Sequence, residues 1–253
     1  MPQIARIGPL LGSLRRGAAQ SGPALVSRAF VPAAAATAVG CVIVMAVLGA
    51  LVAGQTRAGW LDRGIDQAIQ SGLGGHTPLM DVVAGLGSPL PVTLVAVAAF
   101  AACAWTRRFR GALLIAVAVP AASGAEIVLK ELFHRTHTGS LSYPSGHTAG
   151  AFALAMTFAL LLTGPRRPPL AAVTRGLLTA AVLVLGCAVA IAQVARDKHY
   201  FTDTVGGAAL AIAVVLITAV VIDALAARYA DASRKPASVD GTERSGANQR
   251  PRA

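Results

Sequence analysis

Residues 144–163 read PSGHTAGAFALAMTFALLLT. The last sixteen, Thr148–Thr163, contain no Asp, Glu, Lys or Arg. A helix that crosses bilayer hydrocarbon needs about 20 apolar residues, within a range of about 17–25. The run sits at the short end of that range, and its ends are not fixed by sequence. Five more stretches of the same kind flank it: Phe30–Gly54, Pro89–Trp105, Gly111–Leu129, Leu177–Ala195 and Thr204–Ile222. Only Glu126 interrupts the Gly111–Leu129 stretch. All are rich in Ala, Val, Leu and Gly, a composition that favours close helix packing in lipid.

The rest of the composition agrees. The 253 residues are 55% hydrophobic and 13% charged, with a mean hydropathy of +0.64. A soluble domain carries about 25% charged residues. The chain therefore reads as an all-α polytopic membrane protein with six transmembrane helices. It divides into a basic leader (1–28), a membrane domain (29–229) and a polar tail (230–253) expected to be disordered.

A net charge of +11 raises the question of nucleic acid. The distribution of that charge argues for a membrane and against nucleic acid. Arg15, Arg16 and Arg28 precede the first span, and Arg107, Arg108 and Arg110 separate the second from the third. Arg166, Arg167 and Arg175 separate the fourth from the fifth, and Arg228, Arg234, Lys235, Arg244, Arg250 and Arg252 follow the sixth. Alternate loops share one side, and the positive-inside rule makes that side cytoplasmic. Both termini are then cytoplasmic, in an integral protein of the cell membrane. The loops Gln55–Ser88, Lys130–His147 and Arg196–Asp203 face outward. The first apolar run is longer than the h-region of a signal peptide, about 7–15 residues, so it reads as an uncleaved span. Cys41, Cys103 and Cys187 fall within spans at spacings that fit neither zinc nor a redox pair.

In the first outer loop, Trp60, Leu61, Ile65, Ile69 and Leu73 recur at helical spacing and predict a short interfacial helix. Gly72, Gly74, Gly75 and Pro78 then break it, leaving His76 as a solvated loop residue.

Nearly all remaining ionisable chemistry lies in three outward segments. In Pro144-Ser145-Gly146-His147, Ser145 is suited to cap a helix and Gly146 lets backbone approach a ligand. The free N–H groups of the helix N-terminus attract an anion, and His147 stands beside them to exchange a proton. The segment Lys130–His137 supplies Lys130 and Arg135, whose side chains suit phosphate oxygens. Glu126, four residues before Lys130, sets up an ion pair on one helical face. In Arg196–Asp203, His199 and Asp203 are four apart, which a helix would place on one face. A carboxylate on one ring nitrogen fixes the tautomer and makes the other nitrogen nucleophilic.

Together the three segments resemble the signature of the type 2 phosphatidic acid phosphatase superfamily, membrane branch. That signature is a Lys followed after six residues by Arg-Pro, then Pro-Ser-Gly-His, then Ser-Arg, five residues, His, three residues and Asp. Lys130, Pro144, Ser145, Gly146, His147, His199 and Asp203 match. The Arg-Pro position holds His137-Thr138 and the Ser-Arg position holds Ala192-Gln193, with Arg135 and Arg196 as the nearest substitutes.

The resemblance implies a metal-independent lipid phosphatase with no cofactor, acting on isoprenyl or glycerolipid phosphates or diphosphates. His199 would be the nucleophile, Asp203 its orienting carboxylate and His147 the acid. Lys130, Arg135 or His137, Ser145, the Gly146 N–H and Arg196 would hold the phosphoryl oxygens. Two other readings share these residues: transfer of the phosphoryl group to an acceptor, and a non-catalytic member that binds phosphorylated lipid.

Overall fold

The computed structural model of the protein describes residues 24–165 and 167–234. The expectations for Arg15, Arg16, Arg166, Lys235, Arg244, Arg250 and Arg252, and for most of the leader and tail, lie outside these residues. A short 3-10 turn at Arg28–Phe30 leads into α1 (Val31–Val52). The helices α2 (Trp60–Leu73), α3 (Thr77–Gly85), α4 (Pro89–Trp105) and α5 (Phe109–Phe133) follow. A two-stranded hairpin of β1 (Thr136–His137) and β2 (Ser140–Leu141) separates α5 from α6 (Gly146–Thr163). The chain ends in α7 (Ala172–Ala195) and α8 (Phe201–Arg234).

Among the described residues, α1, α5, α6, α7 and α8 are each long and apolar enough to cross a membrane. The bent array of α2–α3 with α4 brings the count to six. Within it, α4 is the span read from the sequence. The helices overrun the charge-free stretches: α5 carries Lys130 inside its last turn, and α8 continues past Ala230 to Arg234. At 1.5 Å per residue, α8 is about 50 Å long, more than the roughly 30 Å of hydrocarbon.

The inside of the bundle is built from small residues. Helix α8 packs against α1, α5 and α6, and α6 packs against α7 as well. Leu114, Ala118, Ala122, Phe152, Ala211 and Val215 form the centre of the core. Large apolar side chains such as Val39, Leu94, Val128 and Val184 point outward, as expected where lipid is the solvent.

Helix α2 buries two acids beside part of its apolar stripe. Its Trp60 is 83% exposed and Ile65 is 38% exposed, while Asp62 and Asp66 are buried. The break after it is shorter than expected. Pro78 opens α3 as a first-turn proline instead of ending structure, which its fixed φ and missing N–H allow. At the opposite end, Arg110 of α5 pairs with Asp223 of α8 at 3.1 Å. Asp223 also accepts the N–H groups of Leu25 at 3.0 Å and Val26 at 2.9 Å, tying the segment before α1 to the bundle.

Candidate active site

The ends of α1, α5 and α7 and the starts of α4, α6 and α8 meet at one end of the bundle. Helix α5 stops where His134 takes a left-handed conformation, φ 48°. The hairpin then turns through Thr138 (φ 48°) and Gly139 (φ 83°). Positive φ at both central residues is the twist a two-residue hairpin requires. A proline at 138 could not adopt it, because its ring holds φ near −65°. The departure from Arg-Pro at 137–138 is thus matched by a local backbone that excludes proline.

His137, expected to face phosphate, is buried. Its Nε2 donates to the Asp197 carbonyl at 2.9 Å, and its ring packs edge-on against Tyr200 with centroids 4.4 Å apart. It joins the hairpin to the α7–α8 connection.

Ser145 caps α6 as its sequence suggested. Its Oγ accepts the Thr148 N–H at 3.5 Å and the Thr148 hydroxyl at 3.2 Å, and the residue has no exposed surface. Its own N–H donates to the Asp203 carbonyl at 2.9 Å, which fixes the Pro-Ser-Gly-His turn on α8. That close approach requires Gly206 and Gly207. A Cβ on Gly207 would fall 2.4 Å from the Ser145 carbonyl oxygen, and one on Gly206 would fall 2.5 Å from the Tyr143 ring. Overpacking of this kind costs about 1–3 kcal/mol. Gly207→Ala is therefore expected to lower the unfolding temperature in detergent, which a thermal melt against wild type measures. Tyr143 is also buried; burial and then Asp203 push its hydroxyl above the ordinary phenol range. It stays protonated and donates to the Met45 carbonyl at 2.5 Å.

His199 and Asp203 are brought together, though by a different route from the expected helix face. Helix α7 ends at Ala195 and α8 begins at Phe201, so His199 lies in the connection. Asp203, in the first turn of α8, reaches back and accepts the Tyr200 N–H at 3.1 Å. Its Oδ2 stands 3.6 Å from His199 Nδ1, slightly beyond hydrogen-bond length. That nitrogen has no other hydrogen-bond partner.

Arg135 corrects the sequence reading most sharply. It has no exposed surface. Its guanidinium donates to Asp203 Oδ1 at 2.6 Å, Thr202 Oγ1 at 2.6 Å and Asp62 Oδ2 at 2.5 Å, and it stacks 4.2 Å over the Tyr200 ring. A cation so committed cannot turn to a phosphate. Arg196 is also diverted. It caps α7 outside any continuous helix with His199, and its Nε pairs with Asp81 of α3.

Lys130 and His147 remain turned toward open space. Lys130 forms the expected ion pair with Glu126 at 2.5 Å. Glu126 packs against Gly146, where a Cβ would fall 2.7 Å from its Oε1. Lys130, Glu126, Gly146 and His147 line one end of a cleft of about 830 Å³ between α4 and α5. The rest of its wall is mainly apolar and includes Val92, Val97, Phe100, Ile115 and Val119. His199 is not among the residues that line this cleft. Gln193, in the expected arginine position, is buried with its Nε2 unpartnered. Among the described residues, no three His, Cys, Asp or Glu side chains gather in metal-ligating geometry.

Lys130, Gly146, His147, His199 and Asp203 thus gather at one end of the bundle, while Arg135 and His137 serve to hold it. Sequence reasoning missed Asp62, Asp66 and Thr202. The one available signal was the pair of acids four residues apart in α2, on the same helical face as Ile69 and Leu73.

This combination defines a class: an integral membrane protein whose helix ends present two histidines, one beside a carboxylate, next to an apolar cleft. The family model of the PAP2 superfamily matches residues 122–226, a region that spans every motif above and is similar to that superfamily. The fold is similar to the crystal structure of the first transmembrane PAP2 type phosphatidylglycerolphosphate phosphatase from Bacillus subtilis. The two share 20% sequence identity with a TM-score of 0.60, over 72% of this chain and 94% of that one. No curated protein matches the chain.

Proposed function

We propose that the protein is a membrane lipid phosphatase that hydrolyses lipid phosphate monoesters or diphosphates, isoprenyl or glycerolipid, through a phosphohistidine. The observation that carries this reading is the cleft. Lys130, the Gly146 backbone and His147 stand at one end of an apolar groove of about 830 Å³. An amphiphile fits such a site, with its chain along α4 and α5 and its phosphate at the polar end. The chain would enter from the bilayer, itself apolar, so the cleft wall accommodates the tail by packing and without a transfer gain from water.

In the proposed reaction, His199 Nε2 attacks phosphorus as the P–O bond to the lipid breaks, and His147 gives its proton to the leaving oxygen. Water then attacks the phosphohistidine, His147 takes a proton from it, and inorganic phosphate leaves with His199 restored. Asp203 Oδ2, 3.6 Å from Nδ1, closes on it as the ring takes up charge. Lys130, the Ser145–Gly146 turn and the helix dipole stabilise charge on the phosphoryl oxygens, which is most of what such transfer requires. The buried Gln193 amide adds an unspent donor close to His199 in sequence.

These groups need no metal. Phosphate release from a panel of lipid mono- and diphosphates is expected to continue in EDTA; loss on chelation and recovery with a divalent cation would overturn that part. The panel includes phosphatidylglycerolphosphate, the lipid in the description of the Bacillus subtilis protein. The basic loops at the other end of the bundle support an extracytoplasmic site. A cysteine in place of Ser140 should then react with an impermeant maleimide on whole cells, and labelling only after permeabilisation would reverse the orientation.

A further inference from the structure

The acids of α2 have no place in the chemistry above, yet both are buried and both act on the first turn of α8. Asp66 Oδ1 accepts the Phe201 N–H at 2.9 Å, and Asp62 Oδ1 accepts the Thr202 N–H at 2.9 Å. These are two of the N–H groups a helix leaves unsatisfied at its start, here capped from a helix some 140 residues earlier in sequence. The second oxygen of Asp62 accepts from Arg135 at 2.5 Å, and Arg135 reaches Asp203 at 2.6 Å.

We infer that Asp62 is a positioning residue that acts through Arg135 to hold Asp203 against the nucleophile His199. The inference rests on the proposed reaction for the roles of His199 and Asp203. The physical argument concerns the two ends of one guanidinium. Arg135 lies between two carboxylates, each taking one terminal nitrogen, with no exposed surface to admit water. Asp203 therefore gives Oδ1 to Arg135 and keeps Oδ2 for the His199 side. Without the Asp62 charge, the fork would turn both nitrogens onto Asp203, since the bidentate pair is the stronger geometry. Oδ2 would then move away from its place 3.6 Å from His199 Nδ1, and the ring would lose the carboxylate that biases its tautomer. Thr202 is the third anchor, taking the same nitrogen as Asp203 at 2.6 Å. The interfacial helix α2 would thus be part of the catalytic support.

The test is ¹⁵N NMR of histidine-labelled full-length protein in detergent, with His199 assigned by His199→Gln, together with kcat and KM on the active lipid. In wild type the neutral His199 ring should carry its proton on Nδ1. In Asp62→Asn it should become a mixture of tautomers, with kcat down about 10–100-fold and KM within about twofold, because the cleft is untouched. Asp62→Glu should restore both in part. Asp66→Asn caps the same turn without touching Arg135, so it should lower the melting temperature and leave the tautomer alone. If Asp62→Asn does not fold, Thr202→Val removes one anchor and should shift the tautomer in the same direction. A wild-type tautomer and kcat in the folded Asp62 variant, or in Thr202→Val if that is the one that folds, would overturn the inference. So would an equal tautomer change in Asp66→Asn. Absence of phosphate release from wild type would instead count against the reaction, with the tautomer comparison still deciding the role of Asp62.

Discussion

His199→Ala should abolish phosphate release and leave the protein folded. Loss of a nucleophile that acts with its partners as a unit removes about 10⁶ in kcat. No neighbouring side chain is placed to replace it. His137 is spent on the Asp197 carbonyl, and His147 stands on the cleft wall without a carboxylate against its ring among the interactions described. His199 lies buried in a connection with its Nδ1 unpartnered, so its truncation removes packing contacts but no hydrogen bond at that nitrogen. A slightly lowered but still cooperative melt with no release is the expected pair of results. Release at the wild-type rate would refute the assignment.

His147→Ala should cost about 10²–10⁴ in kcat on an alkyl lipid phosphate, the range for a positioned general acid. The loss should shrink greatly on an aryl phosphate, whose leaving oxygen departs without a proton. This contrast separates an acid from a binding residue, whose removal would lower both substrates alike. The structure gives His147 a place suited to that role. It is the second residue of α6, and a Cβ on Gly87 would meet its carbonyl oxygen at 2.7 Å, so the backbone beneath the ring is pinned by the turn between α3 and α4. Equal losses on the two substrates would remove His147 from the acid role.

The membrane fold was legible because lipid imposes length. Thr148–Thr163 and its five companions could be read as spans from the absence of charge alone. Local pairs were legible for the same reason of short range: Glu126 and Lys130 lie one turn apart on α5, and Ser145 caps the helix it precedes. Contacts formed across the chain were not. Asp62 meets Arg135 at a separation of 73 residues and the Thr202 N–H at 140, and nothing local announces either. Arg135 reads as a phosphate ligand because a guanidinium suits phosphate oxygens and it stands two residues before the Arg-Pro position of the signature. Here two carboxylates, a threonine and the Tyr200 ring remove it from solvent altogether. Helix α3 was hidden by Pro78, which breaks a preceding helix and starts the next with equal ease. The hairpin was hidden because Thr138 is an unusual residue at positive φ.

The central claim is that phosphate passes through His199. It is tested most directly by mixing purified protein with a hydrolysable lipid phosphate and quenching in alkali, where a phosphohistidine survives. The intact mass and the peptide carrying residue 199 are then read. The account predicts the mass of one added phosphoryl group, placed on His199 and absent from His199→Ala. Steady phosphate release with no phosphoryl group on His199 in the same quenched samples would contradict it.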